Sequence, residues 1–202
     1  MLVGNKHYRT IWLSEKNPEV VQIIDQRLLP HEFVIVDLRS VADFATAIKD
    51  MYVRGAPLIG ATAAYGLCLA LRDDPSDTSL EKAAAQLLAT RPTAVNLRWA
   101  LDDMRATLAG TSGQARIDAA YARAAAICDE DVEISRGIGQ HGVRLLEQIA
   151  AAKQGGTVNV LTHCNAGSLA TAEYGTATAP DGVSMISTLC PCTSDQSVLP
   201  IW

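Results

Sequence analysis

The alanine-rich stretch over residues 114–153 is the feature that most constrains how this chain can fold. Large apolar side chains recur through it at helical spacing, at Ile127, Ile134, Ile138, Leu145 and Ile149. This spacing places an apolar stripe along one face of a helix. Glycines at positions 137, 139 and 142 interrupt the stretch and predict either close helix packing or a break. We therefore expect a protein built mainly from packed helices.

The composition supports that expectation and excludes some partners. Apolar residues make up 49% of the 202 residues and aromatic residues only 5%, so the surplus is alanine and aliphatic, which suits helices. The length allows one large domain or two small ones with a substantial core. The net charge of −5 offers no basic face, so we expect neither nucleic acid nor a membrane as a partner.

The N-terminal residues and the cysteines indicate the cellular compartment. The first ten residues lack the apolar core of a signal peptide, and Arg54, Arg72 and Asp73 bracket the most apolar run. The five cysteines, at positions 68, 128, 164, 190 and 192, are odd in number and unevenly spaced. They do not form a disulfide framework, so we expect a cytoplasmic location.

The first third of the chain changes from strand patterns to helix patterns. Residues 8–13 and 19–38 have β-type composition. A helix is expected from Ser40, whose hydroxyl can cap it while Asp43 completes a capping box. Its apolar face would be formed by Val41, Phe44, Ala45 and Ile48.

Two further helices are predicted before the alanine-rich stretch. One follows Pro57 and ends near the Asp73–Pro75 break. The other starts near Pro92, with Leu97, Leu101, Met104 and Leu108 in register. After Gly155 and Gly156 a strand over Thr157–Leu161 opens what looks like a second domain.

Cys164 follows that predicted strand, within Thr162-His163-Cys164-Asn165-Ala166-Gly167-Ser168. Open α/β sheets bind ligands just past the carboxyl ends of their strands. A helix starting in the small residues that follow would favour the thiolate. A lone cysteine is more often a buried small hydrophobe. The polar neighbours and the strand-to-helix position favour a functional residue.

Two arginine loops precede predicted helices. In Arg54-Gly55-Ala56-Pro57 the glycine lets a ligand approach the backbone, and the arginine provides a fork for phosphate or sugar oxygens. In Arg91-Pro92 the arginine again lies just outside a helix start. For the Arg54 loop, spacing alone favours an ordinary proline-started helix with a solvated arginine. Arg91 could bind an anion or simply flank a helix start, so neither loop is specific by itself.

Other patterns are weaker, and none predicts a cofactor or a metal. The chain has no phosphate-cradling or dinucleotide glycine motif, and Cys190 and Cys192 lack the partners a metal site needs. His163 could carry a proton or orient its loop. The acidic run at residues 129–131 is most simply a solvated helix face.

Taken together, the two arginine loops and Leu161-Thr162-His163-Cys164-Asn165-Ala166-Gly167 resemble the methylthioribose-1-phosphate isomerase family, over about residues 5–178. The resemblance implies a methionine-salvage enzyme of methionine and amino-acid biosynthesis, an intramolecular oxidoreductase that converts 5-methylthioribose 1-phosphate to 5-methylthioribulose 1-phosphate. It also implies the fold class, which is α/β. A mostly helical N-terminal domain over 1–154 would be followed by the first strand, loop and helix of a Rossmann-like domain over 155–179, in a homodimer.

The resemblance assigns roles residue by residue. Arg54, Gly55, Ala56 and Arg91 would contact the phosphorylated sugar, and Cys164 would be the catalytic cysteine. The family also includes ribose-1,5-bisphosphate isomerases and non-catalytic regulatory subunits of the exchange factor of translation initiation. Both remain alternatives.

The resemblance stops near residue 179. The family continues with a catalytic aspartate in a Gly-Ala-Asp-Arg stretch and an Asn-Lys pair, neither of which is found after residue 179 in this sequence. The sequence over 180–202 matches nothing expected from the family. We therefore expect a truncated or frame-shifted product that tends to aggregate and has little isomerase activity.

Overall fold

The computed structural model describes residues 1–154 and 156–180, which form an α/β structure that is mostly helical, as expected. Strands β1 (Leu2–Val3) and β2 (Lys6–His7) pair as an antiparallel hairpin. Strands β3 (Ile11–Leu13), β4 (Val21–Ile24) and β5 (Ile35–Leu38) form an antiparallel sheet in the order β3-β4-β5.

Five helices follow the sheet, and the second of them is the centre of the core. They are α1 (Val41–Lys49), α2 (Ala56–Asp73), α3 (Asp77–Thr90), α4 (Val95–Leu108) and α5 (Gly113–Ala152). The other four helices all pack against α2, which is buried from Leu58 to Leu71. Its small residues allow close approach: a Cβ added to Gly60 would lie 3.0 Å from the carbonyl oxygen of Asn96 in α4. The start of α4 therefore lies beside the start of α2.

Helix α1 begins as its sequence predicts. The Ser40 side chain accepts a hydrogen bond from the Asp43 backbone N–H, and the Asp43 carboxylate accepts one from the Ser40 N–H. Phe44 and Ile48 are buried, so the predicted apolar face does enter the core.

Two other helix starts differ from the sequence prediction. Helix α3 was not anticipated, although Ser76 caps it by accepting a hydrogen bond from the Ser79 N–H. Helix α4 begins at Val95 rather than Pro92, because Pro92 lies in a turn closed by the Ala94 N–H and the Arg91 carbonyl.

Helix α5 runs unbroken through its glycines. Of the two outcomes predicted for these glycines, close packing or a break, the break is wrong. Pro180 packs onto Gly142, where an added Cβ would lie 3.1 Å from the proline Cβ. The apolar stripe divides: Ile127 is buried, whereas the rest of the stripe is exposed, at Ile134, Ile138, Leu145 and Ile149.

The predicted strand over Thr157–Leu161 is absent from the structure of the described residues. A strand requires a neighbouring strand to accept its ladder hydrogen bonds, and no described strand lies beside this segment. Leu161 is consequently 98% exposed. The helix expected after Cys164 is a single 3-10 turn, Ser168–Ala170. Cys190, Cys192 and the rest of the tail from 181 lie outside the described residues.

Candidate active site

The Arg54 loop is shaped by Gly55. This residue precedes α2 as its N-cap and has φ 93°, a backbone conformation that favours glycine. Ala56 and Pro57 already belong to the first turn of α2, so the helix begins before Pro57 rather than after it. Ala56 is exposed and Arg54 is half-buried just outside the helix N-terminus. The loop therefore combines a cation with the unpaired N–H groups of a helix start.

Arg54 has an unsatisfied donor. Its Nε is buried and has no hydrogen-bond partner among the described residues. A buried donor without a partner costs free energy, of the order of 1–3 kcal/mol. The side chain is therefore prepared to donate to an anionic or hydroxylic ligand.

A buried carboxylate lies near this arginine. Asp25 accepts hydrogen bonds from the Arg27 guanidinium at 2.9 and 2.7 Å. These bonds, aided by the weaker field of Arg54, hold the pKa of Asp25 below its ordinary value. Asp25 is thus ionised at neutral pH.

Cys164 is exposed and has φ 70°, which is uncommon for a residue with a Cβ. Such conformations concentrate at functional sites. The predicted assistance to the thiolate from a following helix is not found, because only a three-residue 3-10 turn follows. The other described cysteines are buried: desolvation raises the pKa of Cys128 to about 12 and also raises that of Cys68. Cys164 is therefore the accessible thiol of the described residues.

The Arg54 loop and the segment after Cys164 are in contact. A Cβ added to Gly55 would lie 2.6 Å from the Cβ of Ala170, the last residue of the 3-10 turn. The Gln26 amide Nε2 donates a 2.7 Å hydrogen bond to the carbonyl of Leu169 in the same turn. The fold thus brings two of the three sequence motifs together.

Thr10, just before strand β3, and Asp131 of helix α5 hold the rest of that segment. The Thr10 hydroxyl donates to the Thr171 carbonyl at 2.6 Å, and the Thr10 N–H donates to the Ala172 carbonyl at 3.2 Å. Asp131 accepts from the Ala172 N–H at 2.6 Å. Desolvation by burial raises the pKa of Asp131, against the opposing effect of this bond. The expectation that residues 129–131 are only a solvated face is wrong for Asp131.

Arg91 connects to this region less directly. It is half-buried at the end of α3 and joins the Arg54 loop through the packing of α4 on α2. No hydrogen bond between described residues joins Arg91 or Arg54 to Cys164, and His163 is exposed. The sequence prediction missed Gln26 and Thr10; their only signal is that each is a polar residue flanking an apolar β-type run.

The described residues contain neither a metal-ligand cluster nor a helix that could span a membrane. Within residues 1–154 and 156–180 no group of three or more His, Cys, Asp or Glu side chains is placed to hold a metal ion. None of the helices in the same ranges has the length and apolar character needed to cross a bilayer.

Comparison with known proteins decides the family. The model of the initiation factor 2 subunit family matches residues 52–186, about two thirds of the chain. The chain belongs to this family. The matched residues include the Arg54 loop, Arg91 and Cys164, so all three motifs lie inside the family match.

Individual family members are close in sequence. The methylthioribose-1-phosphate isomerase of Sinorhizobium medicae is 58% identical over 181 residues, covering 89% of this chain and 50% of the relative. That of Brucella anthropi is also 58% identical over 181 residues, with the same coverage. The chain therefore spans about half the length of the curated relatives it matches.

Solved structures of the family have the same fold. The 5-methylthioribose 1-phosphate isomerase of Pyrococcus horikoshii superposes with a TM-score of 0.76 at 37% identity, covering 91% of this chain and 51% of that one. Subunit delta of the translation initiation factor eIF-2B of A. fulgidus superposes with a TM-score of 0.75 at 33% identity, covering 90% and 52%. The α/β fold predicted from sequence is confirmed.

Proposed function

We propose that this chain carries the Arg54 loop (residues 54–57) and the Cys164 loop (residues 162–170) of a methylthioribose-1-phosphate isomerase, which converts 5-methylthioribose 1-phosphate to 5-methylthioribulose 1-phosphate. The observation that carries the proposal is the contact of Gly55 with Ala170, which joins a cationic loop with an unsatisfied Arg54 donor to the loop of an exposed cysteine. The names of the relatives at 58% identity support the choice of substrate.

The reaction requires an anion site and proton transfer. The ring opens when the bond from C1 to the ring oxygen breaks and that oxygen takes a proton. A hydrogen then moves from C2 to C1 while the C2 hydroxyl loses its proton and becomes a carbonyl. No external oxidant or reductant is needed, because C1 is reduced as C2 is oxidised.

The chain's residues have distinct roles in this proposal. Arg54 and the N–H groups at Gly55 and Ala56 bind the phosphate, whose binding energy orients the sugar. Arg91 contributes a second cation from the start of the α4 region. Cys164 assists hydrogen transfer between C1 and C2, and a deuterium label at C2 would distinguish a hydride shift from an enediol.

The wider context follows from the same proposal. We propose that the chain acts in methionine salvage in the cytoplasm, as a homodimer, without a metal or cofactor, and that its domains divide near residue 154. Light scattering on the purified chain tests the dimer.

The test uses protection of Cys164 from alkylation. A protease that cleaves after glutamate releases residues 148–173, in which Cys164 is the single cysteine, so its modification can be followed by mass spectrometry. At ten times its Kd, 5-methylthioribose 1-phosphate should slow alkylation about tenfold. Arg54→Lys should raise the Kd about tenfold or more, because it removes a charged fork, so the same concentration should slow alkylation about twofold or less.

The matched control is Arg39→Lys, an exposed arginine paired with Asp37 and distant in sequence from both loops. In this variant 5-methylthioribose 1-phosphate should protect Cys164 from alkylation as strongly as in the wild type. Ketose formation is measured in the same samples, and Cys164→Ala should abolish whatever turnover is found. Absence of protection and of turnover would refute the proposal.

One alternative substrate and one alternative role are separated by the same assay. Stronger protection by ribose 1,5-bisphosphate would favour the bisphosphate isomerase. The likeness to eIF-2B subunit delta of A. fulgidus supports a non-catalytic binding subunit. Protection that does not depend on Arg54, without turnover, would favour that role.

A further inference from the structure

Gln26 lies between the two loops of the proposed site. It follows strand β4, and the residue is 5% exposed. Its backbone N–H donates a 2.9 Å hydrogen bond to the carbonyl of Tyr52, two residues before Arg54. Its side-chain Nε2 donates a 2.7 Å hydrogen bond to the carbonyl of Leu169, five residues after Cys164. Gln26 is thus hydrogen-bonded to a residue just before the Arg54 loop and to a residue shortly after Cys164.

The other hydrogen bonds from Thr10 and Asp131 to the segment after Cys164 do not reach Leu169, which is bonded by Gln26. Thr10 and Asp131 hold residues 171 and 172, on the far side of the 3-10 turn from Cys164. The Gly55–Ala170 contact is steric and has no hydrogen bond in it. Among the described residues, the Gln26 amide therefore provides the hydrogen bond that resists movement of the Leu169 end of the turn away from the Arg54 loop.

We propose that Gln26 is a positioning residue that sets the separation between the Arg54 loop and the Cys164 loop. This rests on the proposed function for the identity of the site, but the attachment itself does not depend on a substrate. Gln26 touches neither reacting atoms nor phosphate. It acts through the Leu169 carbonyl, and displacements of about 1 Å in such supports are sufficient to lower turnover.

The first experiment measures hydrogen exchange by NMR in the full chain without ligand. The Ala170 and Thr171 N–H groups close the 3-10 turn on Gly167 and Ser168. In Gln26→Met, which keeps length but loses the donor, these two amides should exchange about 2–12 times faster, the factor that one hydrogen bond provides. The Ala172 N–H, held by Asp131, should keep its rate.

The control is Gln22→Met, which removes an amide from strand β4 itself. Gln22 donates to Asp37 and accepts from Trp12, and neither partner belongs to residues 156–180. The Ala170 and Thr171 amides should exchange at the wild-type rate in this variant. Equal acceleration of Ala170, Thr171 and Ala172 in Gln26→Met would indicate general loosening and would overturn the proposal, as would no acceleration at all.

A second variant keeps the proposal falsifiable if Gln26→Met does not fold. Gln26→Glu has the same shape, but its carboxylate faces the Leu169 carbonyl with no proton to donate. When the introduced carboxyl is protonated, the donor returns. The ratio of variant to wild-type exchange at Ala170 should therefore fall towards one as the pH is lowered from about 8 to about 5. A ratio independent of pH contradicts a positioning bond.

Kinetics then separates this inference from the proposed function. Wherever the wild type turns over 5-methylthioribose 1-phosphate, Gln26→Met should lower kcat more than it changes KM, since alignment rather than phosphate binding is lost. If hydrogen exchange changes in the Gln26 variants but the substrate does not protect Cys164 in the wild type, the proposed function alone is refuted. Unchanged exchange with normal protection would refute the role of Gln26 alone.

Discussion

Gly55 and Ala170 approach so closely that a methyl group on Gly55 would lie 2.6 Å from the Cβ of Ala170 and nearer still to its Cα. The two residues are separated by more than a hundred positions; Gly55 belongs to the Arg54 loop, and Ala170 ends the 3-10 turn that follows the cysteine motif. Two constraints act on Gly55 at once, since its φ of 93° also favours glycine. The contact depends on glycine for both backbone conformation and space.

Gly55→Ala should therefore destabilise the chain by about 2–4 kcal/mol, from backbone strain together with displacement of the Ala170 backbone. Urea unfolding followed by circular dichroism measures the change. The control is Gly137→Ala in α5, where an added Cβ meets nothing within 4 Å. The free energy of unfolding of that variant should rise by about 0.5–1 kcal/mol through helix propensity. A Gly55→Ala protein as stable as the wild type would show that the two loops do not touch.

The α1 capping box gives a second prediction. Ser40→Ala should cost about 1 kcal/mol of unfolding free energy, because the Asp43 N–H loses its acceptor. Ser112 occupies the N-cap of α5 without a side-chain capping bond. Ser112→Ala should therefore cost clearly less than Ser40→Ala in the same urea titration, and equal losses would contradict the capping geometry.

Asp25 should make stability depend on acid pH. Its folded pKa is lowered by the hydrogen bonds from Arg27, so the ionised form favours the folded state. This contribution is complete above the unfolded pKa of about 4 and is lost as the pH falls through the folded pKa. Asp25→Asn should be less stable than the wild type by about 1–2 kcal/mol at neutral pH. The difference should shrink below about pH 4, as measured by thermal unfolding between about pH 2.5 and 7. A difference that is constant over this range would contradict the prediction.

The exposed half of the α5 stripe should promote self-association. Leu145 is 62% exposed, beside exposed Ile138 and Ile149. Leu145→Lys should reduce aggregation in light scattering, with a change in unfolding free energy within about 0.5 kcal/mol. Gln148→Lys adds the same charge to an exposed position without removing apolar surface. If it reduces aggregation equally, charge rather than the stripe is responsible.

Local chemistry explains which sequence predictions succeeded. The Ser40 cap and the Gly55-Ala56-Pro57 helix start use atoms a few residues apart, so the sequence contains all the partners. The Thr157–Leu161 prediction failed because a strand needs a neighbour, and β-type composition does not provide one. Asp131 was misjudged because its partner, the Ala172 N–H, lies 41 positions away.

Short-range spacing and side-chain chemistry were enough to specify the helical character of the chain, the Ser40 cap of its first helix and the residue types of the three motifs. Three other features are determined by the packing of α2, α5 and the small sheet. These are the contact of the Arg54 loop with the turn after Cys164, the two bonds of Gln26, and the change in the α5 stripe from buried at Ile127 to exposed from Ile134 onward. The energy of such contacts is determined by distances between residues far apart in the chain, which no local pattern specifies.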